Sequence, residues 1–236
     1  MSMSLSGDAR AARAHGARLW RLWDAPVRLM HWLLVICIAV CWWTGTHDEL
    51  QYHLYSGYAI LWLVLMRLYW GVVGSSTARF VNFVRGPRAV VTYARGLHKR
   101  NSTPTHGHNP LGAISVLLLL GLVLAVVVFG LFSVDVDGLY SGPLSSYVSF
   151  STGRHLAHLH YKMFVDLFVV ICVHVLAVIF YYFYKRHNLL FPMITGKRRG
   201  EETLEGELLL APVWRLVAGA ILVSAIVWLI STGFYL

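Results

Sequence analysis

Five stretches of this chain, at about 27–46, 51–73, 111–134, 155–184 and 212–235, each run about twenty apolar residues or more with almost no charge. A helix rises about 1.5 Å per residue, so roughly 20 apolar residues cross a hydrocarbon core about 30 Å thick. Inside lipid the backbone must satisfy its own hydrogen bonds, which leaves helices as the structure for segments of this kind. The expected fold is therefore an all-α integral membrane protein with five crossings. The third stretch carries no charged residue at all, and Asn109 and Pro110 stand where a helix cap and first helical residue belong. Only 13% of the residues are charged against 57% hydrophobic; soluble domains carry about 25% charged residues, so an ordinary globule is excluded. Cys37, Cys41 and Cys172 all lie inside apolar runs, which argues against a disulfide scaffold or a thiolate zinc site. No Cys-x-x-Cys-His occurs, so any haem is not covalently attached.

A net charge of +9 would suggest nucleic acid in a soluble protein; here it sets orientation, and no nucleic-acid partner is expected. Of 20 Lys and Arg, 17 fall in the N-terminal lead, the 75–109 connection and the 185–215 region, all on one face. The opposite connections hold Asp48, Glu49, Asp135 and Asp137 against a lone Arg154. The N-terminus is therefore expected in the cytoplasm and, after five crossings, the C-terminus outside. The lead is too long and polar to be a signal peptide, and Trp20 and Trp23 fit an approach along the membrane interface. Phe80, Val81, Phe83, Val84, Val90, Val91 and Tyr93, interleaved with arginines, predict an amphipathic segment on the inner surface. Glu201, Glu202, Glu205 and Glu207 are read as a solvated linker.

Ionisable side chains inside a membrane are costly and point to function. His31, His53, His160 and His174 fall within the spans. His160 and His174 are 14 residues apart, about 40° short of four full turns, so both project from one helix face with roughly 21 Å between them along the axis. His158 and His155 miss the His174 face by about 160° and 100°. Depth then pairs His31 with His174 near the inner side and His53 with His160 near the outer side. His47 lies among loop residues.

The same 14-residue step leads from His31 to Gly45 and from His53 to Arg67. Gly45 would let a bulky ring approach at the outer centre, and Gly57, one turn after His53, would relieve crowding at that level. Arg67 would lie beside the inner centre, where its fork can bind a carboxylate. Zinc wants three or four ligands in one cluster, whereas these histidines form two separated pairs. Two axial imidazoles in apolar surroundings fit haem b, with propionates taken by cations such as Arg67. His106 and His108, just before a helix start, are read as capping or surface residues in preference to a quinone site.

Ala25-Pro26-Val27-Arg28-Leu29-Met30-His31-Trp32, Gly107-His108-Asn109-Pro110-Leu111 and the His160/His174 pair together resemble the bacterial cytochrome b561 and nickel–iron hydrogenase b-type cytochrome family, over about residues 19–199. The resemblance implies a four-helix transmembrane bundle holding two non-covalent b haems, with His31, His53, His160 and His174 as iron ligands and Arg67 as the second-helix arginine. It divides the chain into a cytoplasmic lead (1–26), a four-helix di-haem domain (27–199), and an acidic linker with a fifth transmembrane helix (200–236) that the family core lacks. It further implies a bacterial inner-membrane location and electron transfer between the quinone pool and a periplasmic redox partner, a c-type cytochrome or hydrogenase-like subunit. The chain would then be an electron carrier and not an enzyme. The alternative is a stand-alone membrane reductase, of ferric or superoxide:quinone type, using the same haems.

Overall fold

The computed structural model describes residues 18–100, 107–136, 140–200 and 208–235. A short strand β1 (Arg18–Arg21) leads into α1 (Ala25–Thr46), which turns sharply into α2 (Leu50–Val73). Two short helices follow, α3 (Phe80–Phe83) and α4 (Pro87–Arg95), in the region where the sequence predicts one amphipathic segment. Then come α5 (Pro110–Leu131), the long α6 (Phe150–Phe183), α7 (Leu190–Thr195), strand β2 (Lys197–Gly200) and α8 (Val213–Ser231). Helices α1, α2, α5, α6 and α8 are all long and apolar enough to cross a membrane. The fourth span begins at Phe150, earlier than expected, because Ser149 caps it by accepting the Thr152 N–H at 3.2 Å.

Local chemistry explains the helix ends. Asp24 caps α1 by accepting the Val27 N–H at 2.9 Å, with Pro26 in the first turn. Its other carboxylate oxygen accepts the indole N–H of buried Trp70 at 2.7 Å, tying the start of α1 to the end of α2. Removing that carboxylate would orphan a buried donor, at a cost of about 1–3 kcal/mol. Asn109 caps α5 through the Gly112 N–H at 2.7 Å, as its sequence position predicts. The α1–α2 turn is closed by Asp48 at φ 59°, a left-handed conformation that Asp tolerates.

The spans form two antiparallel hairpins, α1–α2 and α5–α6, joined where α2 meets α5, and α8 packs on α2. Helix α2 is the centre of the molecule. Leu63, Met66 and Trp70 join Trp23, Met30 and Val223 in one core cluster, while Ile60, Leu61 and Val64 join Val123, Val127, Leu131 and Leu167 in another. Helix α6 buries only Gly153, Leu167 and Tyr181 along its 34 residues. Lipid is as apolar as leucine, so helices associate in it through close packing and hydrogen bonds. At α8 the Tyr69 ring occupies the space where Gly219 has no Cβ, and Trp62 Nε1 donates to Ser224 Oγ at 3.0 Å.

One ribbon departs from the all-helical expectation. Strand β1 pairs antiparallel with β2, from Arg18 opposite Gly200 to Arg21 opposite Lys197. Strands of four residues are too short to leave a periodic sequence signal. They form because Gly196, at φ 76°, ends α7 and turns the chain back so that its carbonyl accepts the Leu22 N–H at 2.8 Å. Trp23, expected along the interface, is buried in the core by the same closure.

Candidate functional site

The outer histidines are built twice by one device. His53, near the start of α2, points its Nδ1 at the Cys41 carbonyl of α1, 2.8 Å away. His160 of α6 does the same with the Val126 carbonyl of α5, also at 2.8 Å. Four residues after each carbonyl stands a glycine. A Cβ on Gly45 would lie 2.8 Å from His53 Nδ1, and one on Gly130 would lie 2.9 Å from His160 Nδ1. A side chain at either place would push the ring off its carbonyl. Because a carbonyl can only accept, each Nδ1 carries the proton and each Nε2 keeps its lone pair. The two rings meet across the hairpins nearly perpendicular, with centroids 5.9 Å apart and planes at 84°. The Cys41 thiol also approaches His53 Nδ1, at 3.4 Å.

Gly45 thus stands where the 14-residue step places it. Gly57 differs: nothing lies within 4 Å of where its Cβ would be, so protein packing alone requires no glycine there. Gly130 and the two carbonyl acceptors are missed by sequence reasoning. No spacing within one helix reveals them, since the relation runs across each hairpin.

The inner histidines are held more loosely. His31 of α1 sets its ring edge-on to Trp32, centroids 5.0 Å apart, and its buried Nδ1 has no hydrogen-bond partner. His174 of α6 has only Ser115 Oγ near its Nδ1, at 3.4 Å. Arg67 is buried at the same end. Its Nη1 donates to the Ala78 carbonyl at 3.3 Å, and its guanidinium lies 4.9 Å from the centroid of the Phe80 ring. That ring sits over Gly71, where a Cβ would collide with it. No carboxylate among the described residues forms an ion pair with Arg67, although Asp24 lies near enough to act on its charge.

His108 overturns the expectation of a capping or surface residue. The cap is Asn109, and the His108 ring packs between Trp23 and Phe83, with centroid distances of 4.6 and 4.4 Å. Its Nδ1 is buried without a partner. Burial first, then the Arg67 charge and His174, push its pKa down to about 3, so it is neutral at physiological pH. Beside it, Tyr181 of α6 shares its hydroxyl with Tyr93 of α4 at 2.9 Å and with the Asn109 amide at 3.1 Å, which fixes the amphipathic helices beneath the bundle. His106, Asp137 and the glutamates of the linker lie outside the described residues.

Haem b fits these donors. Both outer imidazoles engage a carbonyl through Nδ1 and leave Nε2 for a metal, so His53 and His160 would be the residues that hold one haem. The buried Arg67, which no carboxylate among the described residues holds in an ion pair, suits a propionate. Among the described residues no group of three or more metal-binding side chains exists.

A family model described as prokaryotic cytochrome b561 matches residues 22–196. Its limits are the two residues joined by the Leu22–Gly196 hydrogen bond, and α8 lies beyond it. Similar curated proteins are a "Probable Ni/Fe-hydrogenase 1 B-type cytochrome subunit" from Escherichia coli K12 and one of the same description from Escherichia coli O157:H7. Each is 29% identical over 141 residues, covering 48% of this chain and 60% of the relative. The chain therefore spans about three fifths of the curated relatives that it matches. No solved structure matches it.

Proposed function

The chain belongs to the prokaryotic cytochrome b561 family, and from that premise we propose that it is a di-haem membrane carrier moving electrons between the quinone pool and a redox partner on the far side of the bacterial inner membrane. It is a multi-pass membrane cytochrome of b type, an electron-transfer protein and not itself a catalyst. In this reading His53 and His160 hold an outer haem b and His31 and His174 an inner one. When bound, each haem supplies a centre that is reduced and reoxidised by one electron. With two histidines holding each haem, neither site would leave a position for oxygen.

The observation that carries the reading is the opposed outer pair, each Nδ1 donating to a helix carbonyl and each Nε2 left as a ligand. A metal-binding histidine needs such a partner to fix its tautomer. Gly45 leaves room for the His53 ring, and Gly57 leaves room for the haem itself, one turn along the helix from His53. Arg67 receives an inner propionate. The 14 residues between His160 and His174 set the two centres at different depths, roughly 21 Å apart along α6.

The basic asymmetry supports a cytoplasmic N-terminus and a periplasmic C-terminus. Quinone, being apolar, enters from lipid, and its site is assigned to the inner end near His31, His174 and Arg67. The partner docks on the outer side, where Asp135 and Asp137 favour a basic surface. The description of the relatives as hydrogenase cytochrome subunits favours a hydrogenase-like subunit over a c-type cytochrome as that partner. Haem extraction from the full chain in detergent tests the reading. It should yield about two b haems per chain with low-spin spectra. One haem in a fully loaded preparation overturns it, and turnover of a ferric chelate or superoxide by the isolated chain would favour the stand-alone reductase.

A further inference from the structure

At the basic end of the bundle a cavity of about 400 Å³ lies between the start of α1, the end of α2, the β ribbon and the start of α8. One wall is cationic, formed by Arg21, Arg28 and Lys197. The acid among its described lining residues, Asp24, is buried and has both oxygens engaged, one by the Val27 N–H and the other by the Trp70 indole. Arg28 gives one nitrogen to the Ile194 carbonyl, while its buried Nε has no hydrogen-bond partner among the described residues. Arg21 and Lys197 are exposed and sit opposite one another in the ribbon register, so both charges reach the same mouth.

The other wall is apolar, formed by Trp70, Leu210, Val213 and Leu216. It continues outward along α8 as the exposed stripe Val213, Val217 and Ile221, at steps of four residues. A soluble anion would use only half of this surface. A ligand with an anionic head and a hydrocarbon tail uses both, and the cavity opens at the depth where α1, α2 and α8 leave the hydrocarbon. We propose that this cavity is a binding site for an anionic phospholipid, its phosphate among Arg21, Arg28 and Lys197 and an acyl chain laid along the α8 stripe. Arginine forks match phosphate oxygens, and basic pockets between transmembrane helices bind acidic headgroups. The lipid would brace α8 and the ribbon against α2, independently of any haem.

The full chain is reconstituted in nanodiscs of phosphatidylcholine with a minor fraction of phosphatidylglycerol, extracted into neutral detergent, and weighed by native mass spectrometry. Phosphatidylglycerol should remain bound at about one molecule per chain, with phosphatidylcholine washed away. Arg28→Gln should release it, but Arg28 also ties down Ile194 and its loss can disturb the fold. The double variant Arg21→Gln/Lys197→Gln, altering exposed side chains only, should lower retention roughly tenfold. Arg95→Gln/Lys99→Gln, equally basic and on the same face, should change nothing. Equal loss in both double variants would mean diffuse attraction and overturn the site. So would equal retention of the two phospholipids, or retention that appears only when Glu201, Glu202, Glu205 and Glu207 are changed to Gln, which would make the linker the occupant.

Discussion

The two ends of the bundle carry the same residue type, histidine, in different settings. At the outer end both histidines donate Nδ1–H to helix carbonyls at 2.8 Å, through a carbonyl–glycine device repeated in each hairpin. At the inner end His31 Nδ1 has no partner, His174 has a long contact to Ser115, and a buried arginine lies nearby. A carbonyl on the distal nitrogen makes imidazole a stronger base and favours the oxidised metal. A cation beside the site favours the reduced one. If each pair holds a haem, both differences would act in one direction, with the outer centre the better donor and the inner centre the better acceptor.

The largest effect expected is loss of one centre. His53→Ala or His160→Ala should abolish the outer haem signal and leave the inner one, while His31→Ala or His174→Ala should do the reverse, as followed by redox-titrated visible spectra. If His53→Ala and His174→Ala removed the same component, the pairing would be wrong. Next come the glycines. Gly45→Val and Gly130→Val should each displace an outer ring from its carbonyl and weaken haem retention by about 10–100-fold, a typical cost of losing a ligand's supporting hydrogen bond. Neither should affect the inner signal. Gly57→Ala meets no protein atom, so a fall in outer haem occupancy there, with an unchanged apoprotein melting curve, would mark haem as the group needing the space.

A smaller effect sharpens the comparison further. The outer haem should titrate below the inner one by something on the order of 60 mV, the one-electron equivalent of a tenfold equilibrium change. Arg67→Gln should lower the inner potential and leave the outer one in place. Equal potentials, or the reverse order, would show that distal hydrogen bonding does not govern this pair.

The smallest effect is in pH. His108 has a folded pKa of about 3 against an ordinary value near 6.5, so its neutral form is the one that the fold accommodates. Below about pH 6.5 the unfolded chain takes up a proton that the folded chain refuses. Its contribution to stability is therefore whole above that pH and is lost progressively as the pH falls towards about 3. His108→Gln should flatten this part of the acid-melting profile at the inner end. A profile identical to that of the unaltered protein would place His108 in contact with water.

Much of this architecture was legible in the chain itself. The five spans follow from apolar length, because the bilayer sets the length of a crossing helix. The α5 start follows from Asn109 and Pro110, since capping is a contact between residues three apart. The 14-residue steps put Gly45 against His53 and Arg67 at the inner end, because one straight helix preserves angle and rise along its length. What crosses from one element to another was not written in any single stretch. Gly130 matters only because the α5–α6 turn brings it over His160, and the half-buried His108 ring is covered because Trp23 and Phe83 arrive from two other segments. The β ribbon exists because Gly196 returns the chain to Leu22. Periodicity and capping are local forces, and a sequence records them directly. Which carbonyl a histidine reaches, and which ring covers a buried arginine, depends on how hairpins dock, and only the tertiary structure decides that.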